Sequence, residues 1–196
     1  MSAAAVSRDT PLREYQDFLW ANHEAFQFLY DRGLTAEDIG AYELGYVPGY
    51  DAIHIPYFTK GREIGGRIRF LHPRNAKYLS FEGFKAHLWN VDATVDEHVF
   101  LTEGEFDAMI LTSLGYSAVG VPGASSFKRE WAWLFRDCDR VTLCFDPDEA
   151  GERGANRVQA WIGDVCDDVR RLELPEGLDV SDAHAKGLLE GLVAVA

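Results

Sequence analysis

Three carboxylates stand close together in the stretch LCFDPDEAG, where an apolar run ends in Asp146, Asp148 and Glu149. Pro147 separates the two aspartates and restrains the loop that carries them. Like charges this close repel, so the arrangement favours a cation nearby. A second acidic site occurs earlier, in LTEGEFDAM, where Glu103 also follows an apolar run and Asp107 comes four residues later. Gly104 permits a tight turn, and a helix starting there brings Asp107 back toward the same end. Oxygen ligands without histidine or cysteine suit a hard cation, Mg²⁺ or Mn²⁺. Such an ion can hold a substrate phosphate and offset charge on a leaving pyrophosphate. Asp148 is equally suited to cap the helix beginning at EAGERG, so the residues alone leave cap and ligand both open. Glu105 and Glu149 read as solvated neighbours.

The elements that must position these groups are short strands alternating with helices. HVFLT, YSAVGV, RVTLCF and DVRRLEL are predicted strands; EFDAMILTSLG, read as amphipathic, SFKREWAWLF, EAGERGANRVQAWIG and the residues from Ser181 onward are predicted helices. Strands joined by helices of this length pair in parallel. In such sheets ligands bind beyond the carboxyl ends of the strands. If HVFLT and RVTLCF are neighbours, Glu103, Asp146 and Asp148 meet at one edge.

Upstream, residues 10 to 33 are predicted to form one helix, with Thr10 as cap, Pro11 at the first position and Gly33 at the end. TAEDIGAY opens a shorter helix capped by Thr35, with Asp38 three residues on. AIHIPYF and REIGGRIRFL flank Lys60-Gly61 as a β-hairpin. Ile64, Ile68 and Phe70 are expected on one face of its second strand, and Arg67 and Arg69 on the other. The expected division is an α+β lobe over residues 1–95 and an α/β lobe over 96–196.

Of the 196 residues 47% are hydrophobic and 13% aromatic, enough for a full core and against disorder. The net charge of -13 argues against a general nucleic-acid coating protein. Its distribution is uneven. From Lys60 to Lys85 the basic residues are Lys60, Arg62, Arg67, Arg69, Arg74, Lys77 and Lys85, with only Glu63 and Glu82 as acids. A basic block in an acidic chain implies a localised anion-binding surface. Tyr57, Phe58, Tyr78, Phe84 and Trp89 are interleaved with it and could stack on bases, although core packing suits most of these positions better. Cys138, Cys144 and Cys166 form no CxxC pair, which leaves no structural zinc site and reads as buried thiols. Trp131 and Trp133 are two apart, so on a helix they cannot share one face, and one of them is expected to be interfacial. No stretch matches a membrane span, and MSAAAVSRDTP lacks a signal peptide's apolar core; the expectation is a soluble, cytoplasmic protein.

EGEFDAM followed by DPDEAG resembles the Toprim signature, a Glu-Gly after one strand and an Asp-x-Asp after another. FLYDRGLTAEDIGAYELGYVP and GREIGGRIRFLHPRNAKYLS are similar to the start and the basic stretch of the catalytic core of bacterial-type, DnaG-like primases, and LPEGLDVSD to its third acidic element. The resemblance spans residues 24 to 185. It implies an α/β fold with a Toprim-type parallel sheet flanked by helices, preceded by a smaller α+β lobe. It further implies Glu103 as an acid/base or metal-proximal carboxylate, Asp146 and Asp148 as metal ligands, and Asp107 and Asp179 as supporting acids. Arg69 and Lys77, with Arg67 beside them, would contact template or nucleotide phosphates. Two departures stand out: Leu178 replaces the usual lysine of the third element, and its second acid, Asp182, arrives one position late, after Ser181.

The implied function is synthesis of short RNA primers from ribonucleoside triphosphates on single-stranded DNA with Mg²⁺ or Mn²⁺. The cysteine-rich zinc module and the helicase-binding region of such primases are not found in this sequence. Expected partners are therefore a separate zinc-bearing protein and a replicative helicase, in a bacterial cell or a phage-infected host. The rival readings are a Toprim nuclease and a non-catalytic module of a replication complex.

Overall fold

The computed structural model describes residues 10–73, 75–123 and 125–195, and the chain separates into two compact units, Met1–Lys85 and Ala86–Ala196. The expected cap Thr10 is described, whereas Arg74 of the basic block lies outside the described residues.

In the first unit two helices stand where the sequence pattern suggests one, α1 (Leu12–Trp20) and α2 (His23–Tyr30). Asn22 separates them: its backbone is extended, and its side chain accepts the Ala25 N–H at 3.0 Å, a helix start in mid-pattern. Pro11, not Thr10, occupies the N-cap position of α1, without a side-chain cap bond. α3 (Ala36–Ala41) begins with a reciprocal capping box between Thr35 and Asp38, as its sequence dictates.

An antiparallel sheet follows, β1 (Gly45–Val47), β2 (Ala52–Thr59), β3 (Arg62–Phe70) and β4 (Tyr78–Ser80), in that order. Lys60 and Gly61 both adopt positive φ, 50° and 70°, which matches the right-handed strand twist in a two-residue turn. The register shifts between Tyr57, opposite Gly65, and Phe58, opposite Glu63. Ile64 is the extra residue of this bulge, so the two-residue alternation that would align it with Ile68 and Phe70 is broken there. Tyr15 of α1 packs with Val47, Ala52, Ile68 and Phe81 in one core cluster of this unit.

The second unit begins with a 3-10 segment, Val91–Val95, and builds a parallel sheet from β5 (His98–Thr102), β6 (Ala118–Gly120), β7 (Arg140–Cys144) and β8 (Asp168–Arg171) in the order β6-β5-β7-β8. The unit starts before residue 96, because Trp89 exchanges backbone hydrogen bonds with Gly120 (2.9 and 3.1 Å) and Val91 joins this core. The connecting helices are α4 (Glu105–Ser113), α5 (Glu149–Ile162), α6 (Val180–Ala185) and α7 (Leu189–Val193). The helix expected within SFKREWAWLF is a 3-10 helix, Arg129–Phe135. Positive φ at Gly187 divides the C-terminal stretch into two helices.

Val99, Leu101, Val141 and Leu143 share one face of the sheet and pack with Phe127, Phe135, Val158 and Ile162. α4 is apolar nearly all round, with Phe106, Ala108, Met109, Ile110 and Leu111 buried, so it is an interior helix rather than the amphipathic one expected. Trp133 is the outward-facing tryptophan at 62% exposure, and Trp131 packs against the core. All three cysteines are buried free thiols.

Candidate functional site

β5 and β7 are hydrogen-bonded neighbours with Thr102 opposite Cys144, so the residues that follow them leave the sheet side by side. Glu103 sits on the turn after β5. That turn is fixed from three sides: the Thr102 hydroxyl donates to the Gly104 carbonyl at 2.7 Å, Val121 N–H to the Thr102 carbonyl at 2.9 Å, and Gly123 N–H to the Glu103 carbonyl at 3.0 Å. The half-buried Glu103 side chain crosses to the next strand end, where the Asp146 N–H donates to its Oε2 at 3.5 Å. Two carboxylate-bearing segments 43 residues apart are thereby joined.

Asp148 is the N-cap of α5. Its Oδ1 accepts from Ala150 N–H at 2.8 Å and Gly151 N–H at 2.7 Å, and the side chain is exposed. The capping role that the sequence left open is thus realised in this structure, and both bonds fall on a single oxygen.

Asp107, in the first turn of α4, receives two hydrogen bonds on Oδ1 from Ser181, N–H at 3.2 Å and hydroxyl at 2.9 Å. Burial pushes its carboxyl up to about 8, as do the negative charges of Asp179 and Asp146, against the opposing Ser181 bonds. Burial, with Asp107 as the second cause, also drives the Cys144 thiol far above its ordinary range, which marks it as inert. Asp179 caps α6, accepting the Asp182 N–H at 2.7 Å. Asp107 therefore lies in the negative potential of Asp146 and Asp179 at this edge.

Among the described residues no three carboxylate, imidazole or thiol groups are close enough to form a ready metal cage. Asp148 and Asp179 each cap a helix, and Glu103 lies along the Asp146 backbone. Mg²⁺ needs only one or two carboxylates when phosphate oxygens and waters complete its shell, so the edge suits a metal brought with a phosphate ligand. Glu105, expected to be solvated, is only 1% exposed, because α4 is buried along most of its surface. Glu149 is exposed as expected and pairs with Arg153.

In the first unit, antiparallel pairing sets Arg67 opposite Ser80 and Arg69 opposite Tyr78. Both guanidiniums lie over the Tyr78 ring, at 4.5 Å for Arg67 and 5.4 Å for Arg69, and Arg69 also lies 5.5 Å from the Phe28 ring of α2. Arg69 further donates to the Phe70 carbonyl. These arginines are half-buried and held by aromatic faces rather than freely solvated. Lys77 is exposed, while its carbonyl accepts from Phe70 N–H at 3.1 Å. Tyr57 and Trp89 are buried and Phe84 packs on Tyr57 at 4.9 Å, so these rings serve packing rather than base stacking.

Sequence reasoning overlooked two residues of the acidic edge. Ser181 read only as an interruption of the third acidic element. Gly151 carried no role, yet a Cβ there would stand 2.1 Å from the Asp146 carbonyl oxygen. The DPDEAG spacing holds a signal for the second, since a glycine three residues past a capping aspartate falls in the helix turn that faces the incoming loop.

Comparison with known proteins places these features. Residues 100–184 match the family model described as Toprim-like. The chain is 33% identical over 117 residues to the Gene 57 protein of Mycobacterium phage D29, covering 59% of this chain and 74% of that protein. It is 24% identical over 203 residues to the DNA primase of Geobacillus stearothermophilus, covering 79% of this chain and 34% of the primase. The chain thus spans about a third of the length of that curated primase. A solved DnaG catalytic core superposes with a TM-score of 0.77 at 23% identity, covering 94% of this chain and 77% of that one. Among the described residues no helix is long and apolar enough to cross a membrane. With its Glu-Gly and Asp-x-Asp turns on adjacent parallel strands, the chain belongs to the Toprim-like family and carries the fold of the DnaG-type primase catalytic core.

Proposed function

We propose that this chain is the catalytic core of a primase, joining ribonucleotides into short primers on single-stranded DNA. The observation that carries the reading is the junction of Glu103 with the Asp146 backbone at the carboxyl ends of neighbouring parallel strands. The primase relatives and the Toprim-like match support it.

In this reading the 3′ hydroxyl of the growing primer attacks the α-phosphate of an incoming nucleoside triphosphate, and pyrophosphate departs. Glu103, fixed on its turn, accepts the hydroxyl proton. Asp146, with Glu103 beside it, would hold Mg²⁺ or Mn²⁺ brought with the nucleotide phosphates, with Asp148, Asp107 and Asp179 shaping the surrounding potential. When bound, the ion supplies positive charge against the phosphate oxygens. Arg69 and Lys77, with Arg67 beside them, hold template or nucleotide phosphates. The aromatic faces beside Arg67 and Arg69 limit the freedom lost when a phosphate is bound. A zinc-binding domain and a replicative helicase are the partners of this core.

The test is incubation of the chain with single-stranded template, labelled ribonucleotides and Mg²⁺ or Mn²⁺, beside Glu103→Gln and Asp146→Ala. New oligoribonucleotides lost in both variants support the reading. Shortened template identifies a nuclease instead, and inertness with either metal and with the zinc-bearing partner present identifies a binding module.

A further inference from the structure

Asp107 contributes a carboxylate to the acidic edge, yet what holds it comes from 74 residues away. The Ser181 N–H and hydroxyl both donate to Oδ1. With that oxygen engaged twice, the carboxylate plane cannot swing freely. Oδ2 is the oxygen left toward the Glu103–Gly104 turn, 3.2 Å from where a Cβ on Gly104 would stand. Ser181 is itself 8% exposed, so water does not readily replace its hydroxyl. The start of its helix is set by the Asp179 cap, which fixes the direction from which both donors approach. Asp146 and Asp179 repel the Asp107 carboxylate, and two converging donors are what keep it facing them.

We propose that Ser181 is the positioning residue for Asp107, turning Oδ2 toward the strand-end edge so that it takes part in binding a divalent cation. The cation clause rests on the metal reading given above. Serine suits the task through two features: its backbone supplies one bond in any residue, and its short hydroxyl supplies the second without bulk. An alanine retains the first bond and releases the carboxylate to rotate. A threonine retains both.

The experiment titrates Mn²⁺ alone into the full chain, with the free ion followed by electron paramagnetic resonance. Ser181→Ala is expected to raise the Mn²⁺ Kd about tenfold, in the range for outer groups that orient a ligand, and Ser181→Thr to restore it. Far-UV circular dichroism and thermal midpoints establish that each variant is folded. If Ser181→Ala does not fold, Ser181→Cys, similar in shape and a weak donor, takes its place with the same expected rise. An unchanged Kd in a folded variant overturns the proposal. If the wild-type chain binds no Mn²⁺, the metal reading fails first, and the positioning role is then judged from crystal structures. A rotated Asp107 carboxylate in Ser181→Ala supports it, and an unmoved one overturns it.

Discussion

Gly151 and Asp146 approach so closely that a methyl group on the glycine would stand 2.1 Å from the aspartate's carbonyl oxygen. The first turn of α5 thus presses on the backbone that presents the acidic loop. Gly151→Ala forces either the helix or the loop to shift. It is expected to destabilise the fold by about 2 kcal/mol, the scale of overpacking against backbone. Urea unfolding measures this, with Gly191→Ala as comparison, since nothing lies within 4 Å of a Cβ there. Equal midpoints for the two variants would show that the approach is not rigid.

Asp148 offers a separation of cap from charge. Asp148→Ala removes the acceptor for the Ala150 and Gly151 N–H groups and is expected to lower stability by about 1 kcal/mol. Asp148→Asn keeps a capping oxygen and should remain near wild-type stability. If Asp148 also serves the cation, both variants lose metal-dependent primer synthesis while only the alanine variant melts earlier. An asparagine variant with full synthesis assigns Asp148 to the cap alone.

Asp168 gives the chain a defined acid response. Hydrogen bonds from Arg170 and then Arg140 hold its carboxyl down at about 2. A carboxyl depressed in the folded state stabilises that state above its unfolded value, near 3.9 for aspartate, and the benefit is lost as pH falls toward about 2. Asp168→Asn is therefore expected to be less stable than wild type at neutral pH, with the difference closing between about pH 4 and pH 2. Unfolding followed by circular dichroism at stepped pH measures the gap. A gap that stays constant through that window removes the assignment.

Arg69 tests the basic strand. Arg69→Ala is expected to weaken single-stranded DNA binding and to reduce the slope of log K against log salt by about 0.7, the value for one phosphate contact on a single strand. Arg69→Lys keeps the charge but not the planar contact with the Tyr78 and Phe28 rings, so it should fall between the two. Fluorescence anisotropy at several salt concentrations provides the slopes. An unchanged slope in Arg69→Ala assigns that side chain to packing.

The features readable in advance are those set by short stretches. Lys60-Gly61 makes its turn, Thr35 and Asp38 make their capping box, and the apolar runs before Glu103 and Asp146 make parallel strands. Other features escaped because neighbours in sequence do not decide them. The apolar pattern continues through Asn22, so nothing local marks it as a helix start until its side chain meets the Ala25 N–H. β1 and β4 are three residues each, too short for a periodic signal. The bulge at Ile64 depends on how Gly65 and Glu63 pair with Tyr57 and Phe58, and the burial of Glu105 on how α4 is enclosed.

By itself the sequence determined which side chains stand at the ends of strands, because alternation, turn glycines and caps act over a few residues. It thereby supplied Glu103, Asp107, Asp146 and Asp148 and the basic block, and the resemblance of LPEGLDVSD to the third acidic element of primases added Asp179. Only the tertiary structure decided which ends lie together: β7 beside β5, the Asp146 N–H on Glu103, Ser181 on Asp107, and Arg69 beside Phe28 and Tyr78. These contacts join residues that are far apart in sequence or meet across strands. They form when burial of apolar faces draws whole elements together, a free energy summed over the core rather than encoded at either partner.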